Sequence, residues 1–198
     1  MINKITLNKL YIASTLLLCI LTYLLNYCTT MYGCALVFTI IAIAVNATTV
    51  LYGRFKGLIG LGFAVVISFA LLWTLPYYID GRLVNGLVVA SFSSLMVSLY
   101  FSTSALTRFC SRFGFAVANV LSLGIAAIID GFVIGLFFVI NNNFSYARII
   151  NIFSKELSYK MFYGTLAFIL IFAVIKILQK GAAITEYKRR TLTQKKVV

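Results

Sequence analysis

Apolar runs of about 20 residues recur along this chain, and each is about as long as a helix must be to cross a lipid bilayer. Six such runs cover residues 10–28, 32–52, 58–79, 84–106, 114–140 and 161–179. The chain is 62% hydrophobic and 11% charged, whereas a soluble domain carries roughly 25% charged residues. The runs are too long for the strands of a membrane β-barrel and lack their alternation. The sequence therefore predicts an all-α integral membrane protein with six transmembrane helices.

The connector between the fifth and sixth runs is longer than the others. It reads NNNFSYARIINIFSKELSY, in which Ile149, Ile150, Ile152 and Phe153 lie among polar residues. This pattern is typical of a short interfacial helix or a loop. We expect a single membrane domain over residues 1–198, ending in a basic tail at residues 180–198.

The distribution of basic residues predicts how the helices are oriented. With the N-terminus in the cytoplasm, four of the 17 basic residues fall on the outer side: Arg82, Arg148, Lys155 and Lys160. Short cytoplasmic loops of membrane proteins are enriched in Lys and Arg, so this arrangement places both termini in the cytoplasm. The basic tail is then expected to lie near anionic lipid headgroups. We favour this explanation of the net charge of +13 over nucleic-acid binding.

The scarcity of ionisable residues excludes several kinds of site. The chain has no histidine, and its acids are Asp80, Asp130, Glu156 and Glu186. A Ser–His protease or a His-liganded metal site cannot be built from it. A two-carboxylate intramembrane protease needs two acids at depth, and the predicted helices place only Asp130 there. The four cysteines show no CxxC spacing. We therefore expect no enzyme, no metal and no cofactor.

Asp130 is the acid in an otherwise lipid-like stretch, LSLGIAAIIDGFVIGLFFVI, at residues 121–140. An Asp at the centre of a membrane helix costs roughly 2.5–3.5 kcal/mol, and such acids usually face the bundle interior and mark a substrate or ion path. The alternative is a structural hydrogen bond or ion pair that joins two helices. Ser122 lies eight residues earlier, on roughly the same helix face.

Two further polar residues are candidates for the same site. Lys160 begins the predicted sixth helix, where it either extends to water at the outer interface or turns inward toward Asp130 or a ligand. Asn46 lies in the second helix and needs a hydrogen-bonding partner in lipid. Gly131 and Gly135 form a small-xxx-small spacing that favours close helix packing.

These motifs together resemble the VUT family, whose recognised members are queuosine precursor transporters. The family motif on helix two reads approximately D-x-x-T-E-x-Y-G, and NATTVLYG at residues 46–53 keeps the Thr, Tyr and Gly. Asn46 stands in place of the family Asp, and Val50 in place of the Glu. The helix-four ASF matches residues 90–92, while Leu99 and Ser102 stand at the family's Gln and Asp.

The resemblance extends to the last two helices. The helix-five Ser and Asp correspond to Ser122 and Asp130, and the helix-six Lys corresponds to Lys160, although the Thr-Pro that usually follows that Lys is missing. In all, it spans roughly residues 40–180.

The resemblance implies a multi-pass transporter of the bacterial inner (plasma) membrane that imports a queuosine precursor, a 7-deazapurine base. Asp130 would accept hydrogen bonds from adjacent N–H groups of the base, with Lys160, Asn46 and Ser122 as further contacts. No nucleotide-binding G-x-x-x-x-G-K-[ST] motif is present. The alternatives are a substrate-binding subunit of a multi-component vitamin importer and a non-transporting membrane scaffold. The expected partners are the small-molecule substrate and the lipid bilayer, and a homo-oligomer is compatible with this interpretation.

Overall fold

The chain is described by a computed structural model, which places the backbone of residues 4–28, 30–72, 78–79, 82–83, 86–141 and 144–194. Side chains are described for residues 8–28, 30–72, 86–141 and 144–179. The helices are α1 (Lys4–Tyr27), α2 (Met31–Tyr52), α3 (Arg54–Leu72), α4 (Leu87–Ile140) and α5 (Tyr146–Gln194). All five are long and apolar enough to cross a membrane. The expected all-helical membrane architecture is confirmed at this level.

A short hairpin lies between α3 and α4. Strand β1 (Tyr78–Ile79) pairs antiparallel with β2 (Arg82–Leu83). The third predicted helix, 58–79, is therefore too long, because α3 is described to Leu72 and residues 78–79 belong to β1, while residues 73–77 lie outside the described residues. The sequence reason is Pro76, the only proline of the chain, which lacks the N–H that a helix interior requires.

Helix α4 contains both the fourth and the fifth predicted runs, and Gly114 divides it into two arms. Gly114 has φ 75° and ψ 170°, a conformation that no helical residue adopts. We call residues 87–113 the first arm and residues 115–140 the second arm. Ser94 on the first arm bonds to Asp130 on the second, whereas a straight helix would separate them by about 54 Å. The two arms therefore lie side by side and antiparallel.

Helix α5 joins two segments that the sequence analysis separated. The predicted sixth helix was 161–179, preceded by an interfacial helix or loop, but one continuous helix runs from Tyr146 to Gln194. Its 49 residues extend about 73 Å, more than twice the roughly 30 Å of a bilayer core. The apolar residues before Lys160 are one face of this helix, because Ile149 is buried against Leu87 and Phe138.

The core lies between the first four helices. Its fully buried apolar side chains come from every one of them: Leu18, Ile41, Ala42, Val45, Leu61, Ala64, Leu95, Leu99 and Ala126. Helix α5 packs on the second arm of α4 through Gly131, whose added Cβ would lie 2.6 Å from the Phe153 ring. The small-xxx-small spacing therefore contributes close contact here. Beyond Lys160, α5 presents mostly exposed apolar side chains.

Candidate functional site

Asp130 lies on the second arm of α4 and is 6% exposed. Ser94, on the first arm, places its Oγ 2.5 Å from Asp130 Oδ1 and 2.9 Å from the Asp130 carbonyl oxygen. The other carboxylate oxygen, Oδ2, accepts a hydrogen bond from Lys160 Nζ on α5. Both oxygens of the carboxylate are thus held by polar groups from two other helical segments.

Lys160 turns inward, and it is 4% exposed. It does not begin a helix as predicted, because α5 starts 14 residues earlier. Its Nζ also donates to Glu156 Oε1 at 2.6 Å, one helical turn earlier on α5. The same Nζ lies 4.2 Å from the centre of the Phe38 ring on α2. We call Asp130, Lys160, Glu156 and Ser94 the ionic cluster.

The ionic cluster is electrostatically demanding because it lies among apolar helices. A buried ion pair is favourable only when its geometry is good and its remaining hydrogen-bonding groups are satisfied. Here the lysine ammonium meets two carboxylates and an aromatic face, a set of contacts that compensates its loss of water. The cluster therefore combines charge, hydrogen-bonding capacity and a flat aromatic surface at one place in the membrane part of the chain.

A second polar cluster lies nearer to Gly114, between α2 and the second arm of α4. Asn46 Nδ2 on α2 donates to Asn119 Oδ1 at 2.8 Å and to Ser122 Oγ at 2.9 Å. All three residues are fully buried. Ser122 is eight residues before Asp130 on the same arm, a distance of about 12 Å along the helix. We call these three residues the amide cluster.

The structure therefore distributes the four predicted site residues over two clusters. Asp130 and Lys160 contact one another in the ionic cluster, whereas Asn46 and Ser122 contact one another in the amide cluster. A single ligand of the size of a purine cannot contact all four in this conformation, since the clusters are about 12 Å apart.

The amide cluster contains buried groups without partners. Asn46 Oδ1 and Asn119 Nδ2 make no hydrogen bond. If the O and N positions of both amides are exchanged, Asn46 Nδ2 and Asn119 Oδ1 become the unpaired atoms instead. The number of buried groups without a partner is therefore the same in either assignment. An unsatisfied buried polar group costs about 1–3 kcal/mol.

A serine on the first arm of α4 adds a further buried group that lacks a hydrogen-bonding partner. Ser102 Oγ is likewise buried and without a partner. Ser102 is eight residues after Ser94 on the first arm, and Ser122 is eight residues before Asp130 on the second arm. Because the arms are antiparallel, both steps run the same distance toward Gly114. Ser102 therefore lies at the level of the amide cluster.

Sequence reasoning missed Glu156, Ser94, Phe38 and Asn119. Glu156 and Lys160 have the i, i+4 spacing that brings Glu and Lys together on a helix. This spacing predicts their contact only if the residues before Lys160 are assigned to a helix. Asn119 is an amide inside an apolar run, the same signal that identified Asn46. No sequence signal distinguishes Ser94 or Phe38 from the many other serines and phenylalanines of the chain.

The described residues contain no group of three or more acidic, cysteine or histidine side chains that could hold a metal ion. No protein family model, no curated protein and no solved structure matches the chain. The resemblance to the VUT family therefore rests on the short motifs alone.

Proposed function

We propose that this protein is a membrane transporter for a small polar solute and that the ionic cluster binds that solute. The observation that carries the proposal is the buried contact between Asp130 and Lys160 among apolar helices. Charged groups at such a depth are costly and are typically retained where a substrate or ion passes. We infer six crossings, with the two arms of α4 counted separately, and cytoplasmic termini, which the distribution of basic residues supports.

The chemistry of the ionic cluster fits a planar base with adjacent N–H donors. An acidic side chain accepts hydrogen bonds from amino groups on base edges, and the Phe38 ring provides a face on which a planar ring can stack. Together with the motif resemblance, this leads to a 7-deazapurine queuosine precursor as the proposed substrate and to a bacterial inner membrane as the proposed location.

Ligand binding at Asp130 requires a rearrangement of the ionic cluster. Both carboxylate oxygens are occupied, by Ser94 and by Lys160, so a ligand that takes two hydrogen bonds must displace them. Lys160 has a second acceptor, Glu156, within hydrogen-bond distance. The lysine can therefore leave Asp130 without losing all its charge compensation.

Two alternatives have a structural observation in their favour. The complete pairing of Asp130 within the chain is also what a structural ion pair in a non-transporting scaffold would show. The exposed apolar face of α5 beyond Lys160 would suit a substrate-binding subunit that docks on partner membrane proteins. We prefer the transporter because a purely structural pair does not need the second carboxylate, Glu156.

The test is uptake of labelled 7-deazaguanine precursors by cells that cannot make them, with Asp130→Asn measured at matched expression. The control is Glu186→Gln, which neutralises an acid in the basic tail. We expect uptake by the unaltered chain and by the control, and a loss of at least tenfold in Asp130→Asn. Normal uptake by Asp130→Asn would exclude Asp130 as the binding residue.

Purified chain in liposomes separates the remaining alternatives. Uptake without partner proteins excludes the subunit hypothesis. A scaffold shows neither uptake nor any stabilisation by the base.

A further inference from the structure

We propose that the solute bound by the ionic cluster is an organic cation with one positive charge, and that this charge takes the place of Lys160 Nζ at the Asp130 carboxylate. The inference rests on the proposed function, because it names the class of solute for the same site. It follows from the way in which helices α4 and α5 divide the charged groups of the cluster.

The charged groups of the cluster belong to two helices. Helix α5 carries a cation and an acid one turn apart, and Lys160 Nζ lies 2.6 Å from Glu156 Oε1. Helix α4 carries the acid Asp130 together with Ser94, which contributes an uncharged hydroxyl. The pair on α5 is therefore neutral by itself, whereas Asp130 takes its positive charge within the cluster from the other helix.

This division decides what happens when a ligand displaces Lys160 from Asp130. The lysine keeps Glu156 as its partner, because both side chains lie on α5 and move with it. Asp130 keeps only the Ser94 hydroxyl within the cluster, although it is 6% exposed. A buried charge that loses its partner is strongly unfavourable. A neutral solute leaves the carboxylate without a counter-charge, whereas a solute with one positive charge restores the ion pair.

The contacts of Lys160 Nζ indicate which kind of cation fits. The ammonium lies between Asp130 Oδ2 and Glu156 Oε1, with the centre of the Phe38 ring 4.2 Å away. A solute ammonium or amidinium group can make the same contacts, namely charge-assisted hydrogen bonds to a carboxylate and a cation–π contact. The chain's own ammonium thus occupies the position that the charge of the solute takes.

Binding of two flat probes of nearly the same shape to the full chain in detergent tests this inference. Benzamidinium carries a positively charged amidinium group, and benzamide carries a neutral amide in its place. Isothermal titration calorimetry measures both affinities. We expect benzamidinium to bind more tightly than benzamide by roughly tenfold or more, the effect of a hydrogen bond to a charged group. The control Glu186→Gln should show the same preference.

Two variants of the cluster assign the preference to its residues, after thermal unfolding has shown that each is folded. Asp130→Asn should bring the ratio of the two affinities close to one, because the carboxylate is gone. Glu156→Gln should weaken benzamidinium binding, because the displaced Lys160 then has no carboxylate to pair with.

Each other result overturns the proposal. Equal affinities, tighter binding of benzamide or binding of neither probe would show that the site does not select a cation. A preference that persists in Asp130→Asn would place the charge of the solute elsewhere. Displacement of benzamidinium by an equal concentration of sodium ions would assign the position to an inorganic cation.

Uptake of two 7-deazaguanine precursors separates this inference from the proposed function. An aminomethyl substituent is positively charged at neutral pH, like a lysine amine, whereas a cyano substituent is neutral. We expect the aminomethyl precursor to be taken up in preference. If both are taken up equally, the proposed function stands and the inference about charge fails. If benzamidinium is selected but neither precursor is taken up, the proposed substrate fails and the inference about charge stands.

Discussion

Ser94 and Asp130 belong to the same helix α4, 36 residues apart, and yet the Ser94 Oγ lies 2.5 Å from Asp130 Oδ1. The contact exists because Gly114 reverses the chain between them. The ionic cluster thus depends on one backbone conformation about 24 Å along the helix from Asp130.

Gly114→Ala is therefore expected to destabilise the fold. A φ of 75° combined with a ψ of 170° is essentially restricted to glycine and costs a residue with a Cβ about 1–3 kcal/mol, although space around Gly114 is open. Thermal unfolding in detergent measures the loss. Gly164→Ala is the matched control, because Gly164 is helical, lacks neighbours within 4 Å of an added Cβ and should gain about 0.5–1 kcal/mol. Equal stability of the two variants would argue against a strained turn at Gly114.

Gly131→Ala should weaken the packing of α5 on the second arm of α4. The added Cβ would lie 2.6 Å from Phe153, whereas at Gly135 the nearest atom, on Ile149, is 3.9 Å away. Overpacking a tight contact typically costs about 1–3 kcal/mol. We expect Gly131→Ala to lower the midpoint of unfolding and Gly135→Ala to leave it unchanged or raise it. The reverse order would contradict the described contact.

Lys160→Met should be strongly destabilising, because it leaves two carboxylates without their cation. Removing one partner of a buried pair costs about 3–5 kcal/mol. Combining Lys160→Met with Asp130→Asn should cost less than the sum of the two changes, by more than about 0.5 kcal/mol. Lys155→Met, at an exposed position of the same helix, should change stability by less than about 0.5 kcal/mol. Strict additivity of the first pair would mean that the two side chains do not interact.

Replacing both amides of the amide cluster should be less harmful than replacing one. Asn119→Leu removes the acceptor of Asn46 and leaves a buried amide with fewer partners, at a cost of about 1–3 kcal/mol. Asn46→Leu with Asn119→Leu also removes the two unpaired groups, so we expect the double variant to recover at least part of that loss. Unfolding of Asn46→Leu, Asn119→Leu and the double variant in one detergent measures the difference. A double variant that is less stable than both single variants would show that the amides are held by favourable pairing.

Ser94→Ala should reduce uptake of the proposed base more than it reduces stability, because Ser94 holds the carboxylate that is proposed to bind it. We expect a loss of roughly tenfold, the equivalent of one hydrogen bond of about 1.4 kcal/mol. Ser93→Ala is the adjacent control at an exposed position, and its uptake should be unchanged. Equal losses in both variants would make the effect unspecific.

The helical membrane architecture could be predicted from the sequence because the length and apolarity of the runs depend on local composition. The residues at which the helices begin and end could be predicted less well. Pro76 explains why α3 stops early, but the continuity of α5 depends on packing of Ile149 and Phe153 against α4, which composition does not specify.

The candidate site could be predicted in part. Asp130 stood out because an acid is rare in an apolar run, and its deep position needed no further information. Glu156 was missed because it lies beside Lys160 only if α5 is continuous through both residues. A polar connector and a partly buried helical turn can have the same amino-acid composition, so composition does not predict that continuity. The separation of Asn46 from Asp130 depends on where α2 packs along the second arm of α4, beside Asn119 and Ser122.

Helix α5 also connects the ionic cluster to a distant part of the chain. It continues without interruption for 34 residues beyond Lys160, to Gln194, a rod of about 51 Å. A tilt of a few degrees about Lys160 therefore displaces the far end of the rod by several ångströms. A change of partner at Lys160 that tilts α5 is thus enlarged near the C-terminal end of the helix, where Lys188, Arg189 and Arg190 lie in sequence.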